Sequence, residues 1–102
     1  MAEIRWSPQA ISDLESIQEF IGRDSPHYAR LVATRIIAAV ERAGEFPDSG
    51  RVVPEVGDAA LREVLWRNYR IVYRARDAHV EIVTVVHAAR MFFDPPASGL
   101  SN

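Results

Sequence analysis

The stretch Leu61–Arg90, LREVLWRNYRIVYRARDAHVEIVTVVHAAR, constrains the fold more than any other part of the chain. It holds three short apolar runs rich in Val, Ile, Tyr and Trp, residues that favour extended backbone. Arg67-Asn68 and Arg76-Asp77-Ala78 separate the runs, and both breaks are short enough for hairpin turns. The pattern predicts three consecutive antiparallel strands over Leu61–Trp66, Tyr69–Ala75 and His79–His87. In the middle strand, alternation puts Tyr69, Ile71, Tyr73 and Ala75 on one face and Arg70, Val72, Arg74 and Arg76 on the other. The first face suits a covering layer, and the second is expected to present its guanidinium groups to solvent or a partner. The last run, Val80–Val86, is apolar on both faces except at Glu81 and Thr84, which suggests a central strand.

The covering layer is written upstream. Glu3–Trp6 is a short extended segment. Ser7-Pro8 then carries a helix start, since Ser is a preferred N-cap and Pro suits the first helical position. Ala10, Leu14, Ile17 and Ile21 recur at helical spacing, and Gly22 is expected to close the helix in a left-handed conformation. Ser25-Pro26 repeats the start signal. Tyr28, Val32, Ile36, Ala39 and Ala43 form a second stripe, which Gly44 is expected to end. The link Arg23–Ser25 is so short that the helices should be antiparallel neighbours. Phe46-Pro47-Asp48-Ser49-Gly50 is turn chemistry, and Arg51–Ala60 reads as a loop. The expected class is α+β: an N-terminal strand, then an antiparallel helical hairpin on a mainly antiparallel sheet, in the order β-α-α-β-β-β. Residues 1–93 form one domain on this reading, and the Pro- and Ser-containing residues 94–102 a frayed tail.

At 102 residues the chain has room for one core. It has no Cys, which removes disulfides, thiolate nucleophiles and Cys-based metal sites. His27, His79 and His87 show no metal-ligand spacing, and no glycine-rich phosphate loop occurs, so no cofactor is expected. No apolar run approaches the ~20 residues of a membrane span, and MAEIRWSP lacks a signal-peptide core, so a cytoplasmic protein with no membrane partner is expected. The net charge of −2 gives no global attraction to nucleic acid. Its distribution is uneven. Residues 1–50 hold five Arg against eight acids, and residues 51–90 seven Arg against five acids. Every basic residue is Arg, a planar fork for carboxylate or phosphate that does not serve as a base near neutral pH.

The order of elements, with Trp6-Ser7-Pro8, Asp13-Leu14, Pro47 before Gly50-Arg51, Leu61-Arg62, Tyr69-Arg70, Tyr73-Arg74, and His87 with Arg90, resembles the RelE/ParE superfamily over about residues 3–91. These are toxins of bacterial type II toxin–antitoxin modules. The resemblance implies a cognate antitoxin whose C-terminal segment wraps the toxin. It also implies one of two activities: ParE-like members poison DNA gyrase, and RelE-like members cut messenger RNA in the ribosomal A site.

Cutting RNA through its own 2′-hydroxyl needs a base, an acid and cations that stabilise the phosphorane. By the resemblance Arg70 and Arg90 match phosphate-stabilising positions, Arg62 lies near a third, and His87 is the one sensible general base. Arg70, His87 and Arg90 are thus the catalytic set of a nuclease reading. A second proton-transfer group is missing: Met91-Phe92-Phe93 offers no hydroxyl, and there is no Lys. The reading adopted is a ParE-like toxin that inhibits gyrase by binding. Arg62, Trp66, Arg70, Arg74, Arg90 and Phe92 are its candidate contacts with target or antitoxin. The alternatives are a RelE-like ribosome-dependent endoribonuclease and a decayed toxin that only binds antitoxin. The structural alternative for Arg70 and Arg90 is ion pairing with Glu63 or Glu81 across the sheet. For Arg74 and Arg76 it is a solvated strand face.

Overall fold

The structure, a computed structural model, describes residues 2–88. Arg90, Phe92, Phe93 and the tail expected from residue 94 lie outside the described residues. The elements are β1 (Glu3–Trp6), α1 (Pro8–Gly22), α2 (Pro26–Glu45), β2 (Arg51–Val52), β3 (Leu61–Trp66), β4 (Tyr69–Ala75) and β5 (His79–His87). The three long strands fall where the apolar runs predict them.

Both helix starts use the expected caps. The Ser7 hydroxyl accepts from the Ala10 amide at 3.0 Å and donates to the Val83 carbonyl at 2.8 Å, so this cap also ties α1 to β5. The Ser25 hydroxyl accepts from the Tyr28 amide at 3.1 Å. The helix ends differ from expectation. Gly22 lies within α1, whose cap Arg23 is right-handed at φ −60°, and Gly44 lies within α2. Gly44 is there for space: a Cβ at this position would come within 2.8 Å of the Ile4 side chain, where β1 crosses the helix.

The sheet order is β1-β5-β4-β3-β2. β1 runs parallel to β5, with Glu3 opposite His79 and Trp6 opposite Ile82, and the other pairs are antiparallel. β5 is therefore internal, as its two-sided apolar sequence requires. An irregularity interrupts the β4–β5 register. Val72 pairs Thr84 and Tyr73 pairs Ile82, so Val83 has no opposite residue. The extra residue changes the side-chain parity. Ile82 and Val85, three apart, both join the helix-side core.

That core contains Ala10, Val32, Ile36, Val40, Ala43, Ile71, Tyr73, Val80, Ile82 and Val85, with Leu14, Ile17, Trp6 and Trp66 packed on it half-buried. The opposite face departs from expectation. Residues 51–60 are more than a loop: β2 pairs with β3, and the residues after it fold back as a strap across the sheet. Val53, Leu61, Val72 and Val83 form a second buried cluster there, with Val56 against it. The strap is held by its own turns, with amides of Val56 and Gly57 donating to the Val53 carbonyl and the Leu61 amide to that of Asp58. The arginine-bearing face of β4 is thus covered at its centre and not open to solvent.

Candidate functional site

Arg70 and Arg74 flank Val72 on the strap side of β4, and their surroundings differ. The Arg70 guanidinium donates Nη1 and Nη2 to the two carboxylate oxygens of Glu55, both at 2.7 Å, and Nε to Glu63 at 2.7 Å. Glu55 comes from the strap and Glu63 from β3. The Glu63 side chain is fully buried, and its second oxygen accepts from Arg51 Nε at 2.6 Å. Arg70 is 6% exposed. The hydrogen bonds from Arg70 hold the Glu55 carboxyl at about 2, well below its ordinary value, against the opposing effect of burial. The same bonds, those to Glu55 foremost, push the Arg70 pKa further up. The structural alternative of pairing with Glu63 is realised at Arg70, and Glu55, which the sequence does not mark, is a second partner.

Arg74 is almost as enclosed, with 12% of its side chain exposed, yet it is weakly engaged. Nη1 lies 3.7 Å from Asp58, too far for a hydrogen bond, and the buried Nε has no hydrogen-bond partner among the described residues. Asp58 already accepts from the Ala60 amide at 2.9 Å. Arg76 sits farther out, 3.7 Å from Glu81 and half exposed. The expected solvated face therefore describes Arg76 and not Arg74.

Arg62 donates Nη1 to the Gly50 carbonyl at 2.9 Å. This explains part of the Pro47 to Arg51 motif. The buried Tyr73 hydroxyl donates to the Pro47 carbonyl at 2.6 Å and accepts from the Gly50 amide at 3.0 Å. A Cβ on Gly50 would lie 2.5 Å from that hydroxyl oxygen, so only glycine fits. Burial pushes the Tyr73 phenol pKa up.

His87 ends β5 opposite Tyr69, with the rings edge to face at 5.5 Å, and Trp66 stacks beside Tyr69 at 6.5 Å. Tyr69 and Trp66 pack toward the helices, so this aromatic row lies on the other side of the sheet from Arg70. His87 and Arg70 do not converge on one site. Arg90 and Phe92 lie outside the described residues.

Two grooves open between the helices and the sheet. One, about 570 Å³, lies between α1 and β5 and is lined by Asp13, Glu19, Phe20, Arg23, Tyr69 and His87 among others. Asp13 there receives the Thr84 hydroxyl and, at 3.0 Å, the Val85 amide, so it faces the sheet and not solvent. Its position three residues after Ala10 and four before Ile17, within the apolar stripe, was the signal for this role. The other groove, about 690 Å³, runs between α2 and β3. Ala38, Ala39, Val64, Leu65 and Trp66 are its apolar lining, and Arg35, Arg42 and the paired Arg51 and Glu63 its charged lining. Leu65 is 53% exposed, and β2 ends before reaching it, so among the described residues no strand pairs with the edge of β3 there. Arg35 and Arg42, seven apart on α2, share a helix face, a spacing legible in the sequence. Among the described residues no group of three His, Asp or Glu is placed to hold a metal, and no helix is long and apolar enough to cross a membrane.

Comparison with known proteins agrees with this architecture. A relative from Caulobacter vibrioides, Toxin RelE2, is 38% identical over 92 residues, covering 89% of this chain and all of the relative. A solved structure of a chromosomal ParDE toxin–antitoxin system from P. aeruginosa shares the fold, with a TM-score of 0.71 over 85% of this chain and 96% of that one, at 19% identity. Residues 4–92 match the family model described as the ParE toxin of the type II toxin–antitoxin system parDE. The chain belongs to the ParE toxin family of type II toxin–antitoxin systems.

Proposed function

We propose that this toxin acts by binding its target and not by cutting RNA, that the target is DNA gyrase, and that a cognate antitoxin neutralises it. The observation that supports binding over cleavage is the state of Arg70. A phosphate-stabilising arginine must offer its fork to the substrate. Here two carboxylates hold that fork, one of them bidentate, in a network that is nearly buried. His87 stands on the other side of the sheet, so a phosphate gripped by one would not meet the other.

The antitoxin reading draws on the groove between α2 and β3. Its apolar residues and the two arginines of α2, Arg35 and Arg42, suit an amphipathic segment with acidic flanks, and the edge at Leu65, unpaired among the described residues, offers backbone groups to an added strand. A segment that folds as it binds would bury more than the ~1,600 Å² of a standard interface. The name of the Caulobacter relative, RelE2, keeps one second reading in view, a ribosome-dependent ribonuclease using Arg70, His87 and Arg90.

Purified toxin added to plasmid supercoiling by gyrase and to cell-free translation separates the two. Inhibited supercoiling with intact messenger is expected, and His87→Gln should leave that inhibition nearly unchanged. Unimpeded supercoiling together with cleavage inside ribosome-bound codons, lost on His87→Gln, would replace this reading with the ribonuclease.

A further inference from the structure

We propose that Arg74 is an anchor for a carboxylate side chain of the antitoxin, so that the antitoxin crosses the strap side of the sheet as well as the helix-side groove. This rests on the antitoxin reading above and adds a contact site to it. Buried donors in folded proteins nearly always have an acceptor, and an unmet one is destabilising, more so when charged. Arg74 breaks that rule. Its Nε is sealed from solvent without an acceptor among the described residues, and the nearest carboxylate oxygen, Oδ2 of Asp58, is 3.7 Å from Nη1, while Oδ1 accepts from the Ala60 amide.

The remedy is not supplied by the neighbours among the described residues. Glu81, opposite Arg74 in the register, is drawn to Arg76, itself at 3.7 Å. Glu55 and Glu63 are committed to Arg70 and Arg51. An arginine on a rigid central region of a sheet, with its stem already ordered by packing, loses little further entropy when its fork is gripped. A carboxylate arriving from outside can take Nε and Nη together, with a small outward turn of the guanidinium. Aspartate or glutamate is the ligand this geometry fits, because the fork binds a planar two-oxygen group in bidentate fashion. The mild positive balance of residues 51–90 favours an acidic segment in the same direction.

The test uses the toxin co-expressed with the protein encoded beside it, separated and refolded, then titrated back. Arg74→Met should weaken the complex by about 30-fold or more, as when one partner of a desolvated charge pair is removed. Arg74→Lys should recover part of the loss, since it restores charge without the fork. Amide replacements of the antitoxin's acidic residues should reveal one whose effect vanishes in the Arg74→Met background. Glu81→Gln should not weaken binding. An unchanged Kd for Arg74→Met, in a toxin that denatures as the wild type does, overturns the inference while leaving the antitoxin reading intact. Failure of the wild-type chain to retain any small protein overturns the antitoxin reading itself. Should Arg74→Met fold poorly, the lysine variant and the amide scan decide: no acidic residue coupled to position 74 rejects the anchor.

Discussion

The two faces of the sheet are buried by different means. Toward α1 and α2 the cover is apolar and regular, with Val32, Ile36, Val40 and Ala43 of one helix stripe meeting Ile71, Tyr73, Ile82 and Val85. Toward the strap the apolar patch is small, and it is flanked by charge: Arg70 with Glu55 and Glu63 at one end, Arg74 with Asp58 at the other. A helix stripe covers a sheet with side chains alone. A strap of ten residues lacks that area, so ion pairs complete the covering, and they do so unevenly. The difference teaches where specificity can reside. The helix side has every reason to be fixed, whereas the strap side keeps charged groups whose partners can change.

The largest effect is expected on the helix side. Ile36 is fully buried among residues of both layers. Ile36→Ala should cost about 4 kcal/mol, within the range for large-to-small changes where the surroundings cannot collapse. Chemical denaturation measures it. A loss below about 1 kcal/mol would mean that this core repacks easily, and the contrast between the faces would weaken.

Next comes the strap side at Arg70. Arg70→Met leaves Glu63 buried with one oxygen unserved, although Arg51 still holds the other. The expected cost is about 3 kcal/mol, the lower end for breaking a buried pair. This face should also respond to acid. Glu55 is held at about 2 against an ordinary 4.5, so its pairing favours the folded state above about pH 4.5 and is lost as pH falls toward 2. The stability gap between wild type and Glu55→Gln should therefore narrow over that window. A gap that stays constant with pH would show that Glu55 contributes packing and not charge.

This unevenness also explains what could be read in advance. The strand limits Leu61–Trp66, Tyr69–Ala75 and His79–His87 and the starts at Pro8 and Pro26 agree with the structure, because each is set by local signals: alternation, hairpin breaks and Ser-Pro caps. The strap reads as a loop in the sequence because Val53 and Val56 have no periodicity, and their burial depends on Val72 and Val83 far along the chain. Glu55 is unmarked in the sequence for the same reason, lying between Pro54 and Gly57 with no local signal. Alternation placed Arg70 and Arg74 on one face but could not say what would cover them. The separation of His87 from Arg70 follows from the same alternation together with the irregularity at Val83, which sequence alone does not reveal.

The smallest effect is expected at Arg74, and it is the sharpest probe of the contrast along β4. Met keeps most of the apolar stem that Arg74 packs against the sheet, and removes the charge and the unmet Nε. The ion pair lost, with Asp58 at 3.7 Å and Asp58 half exposed, is of the kind that contributes little. Relief of a buried, unsatisfied donor works in the opposite direction. The two nearly cancel, so Arg74→Met in the free toxin should shift stability by less than about 0.5 kcal/mol in either direction. Urea denaturation of Arg70→Met and Arg74→Met side by side reads the difference directly. A loss at Arg74 above about 1.5 kcal/mol would show that the free chain already uses this guanidinium as it uses Arg70. The strap face would then be closed at both ends, with no arginine held in reserve for a partner.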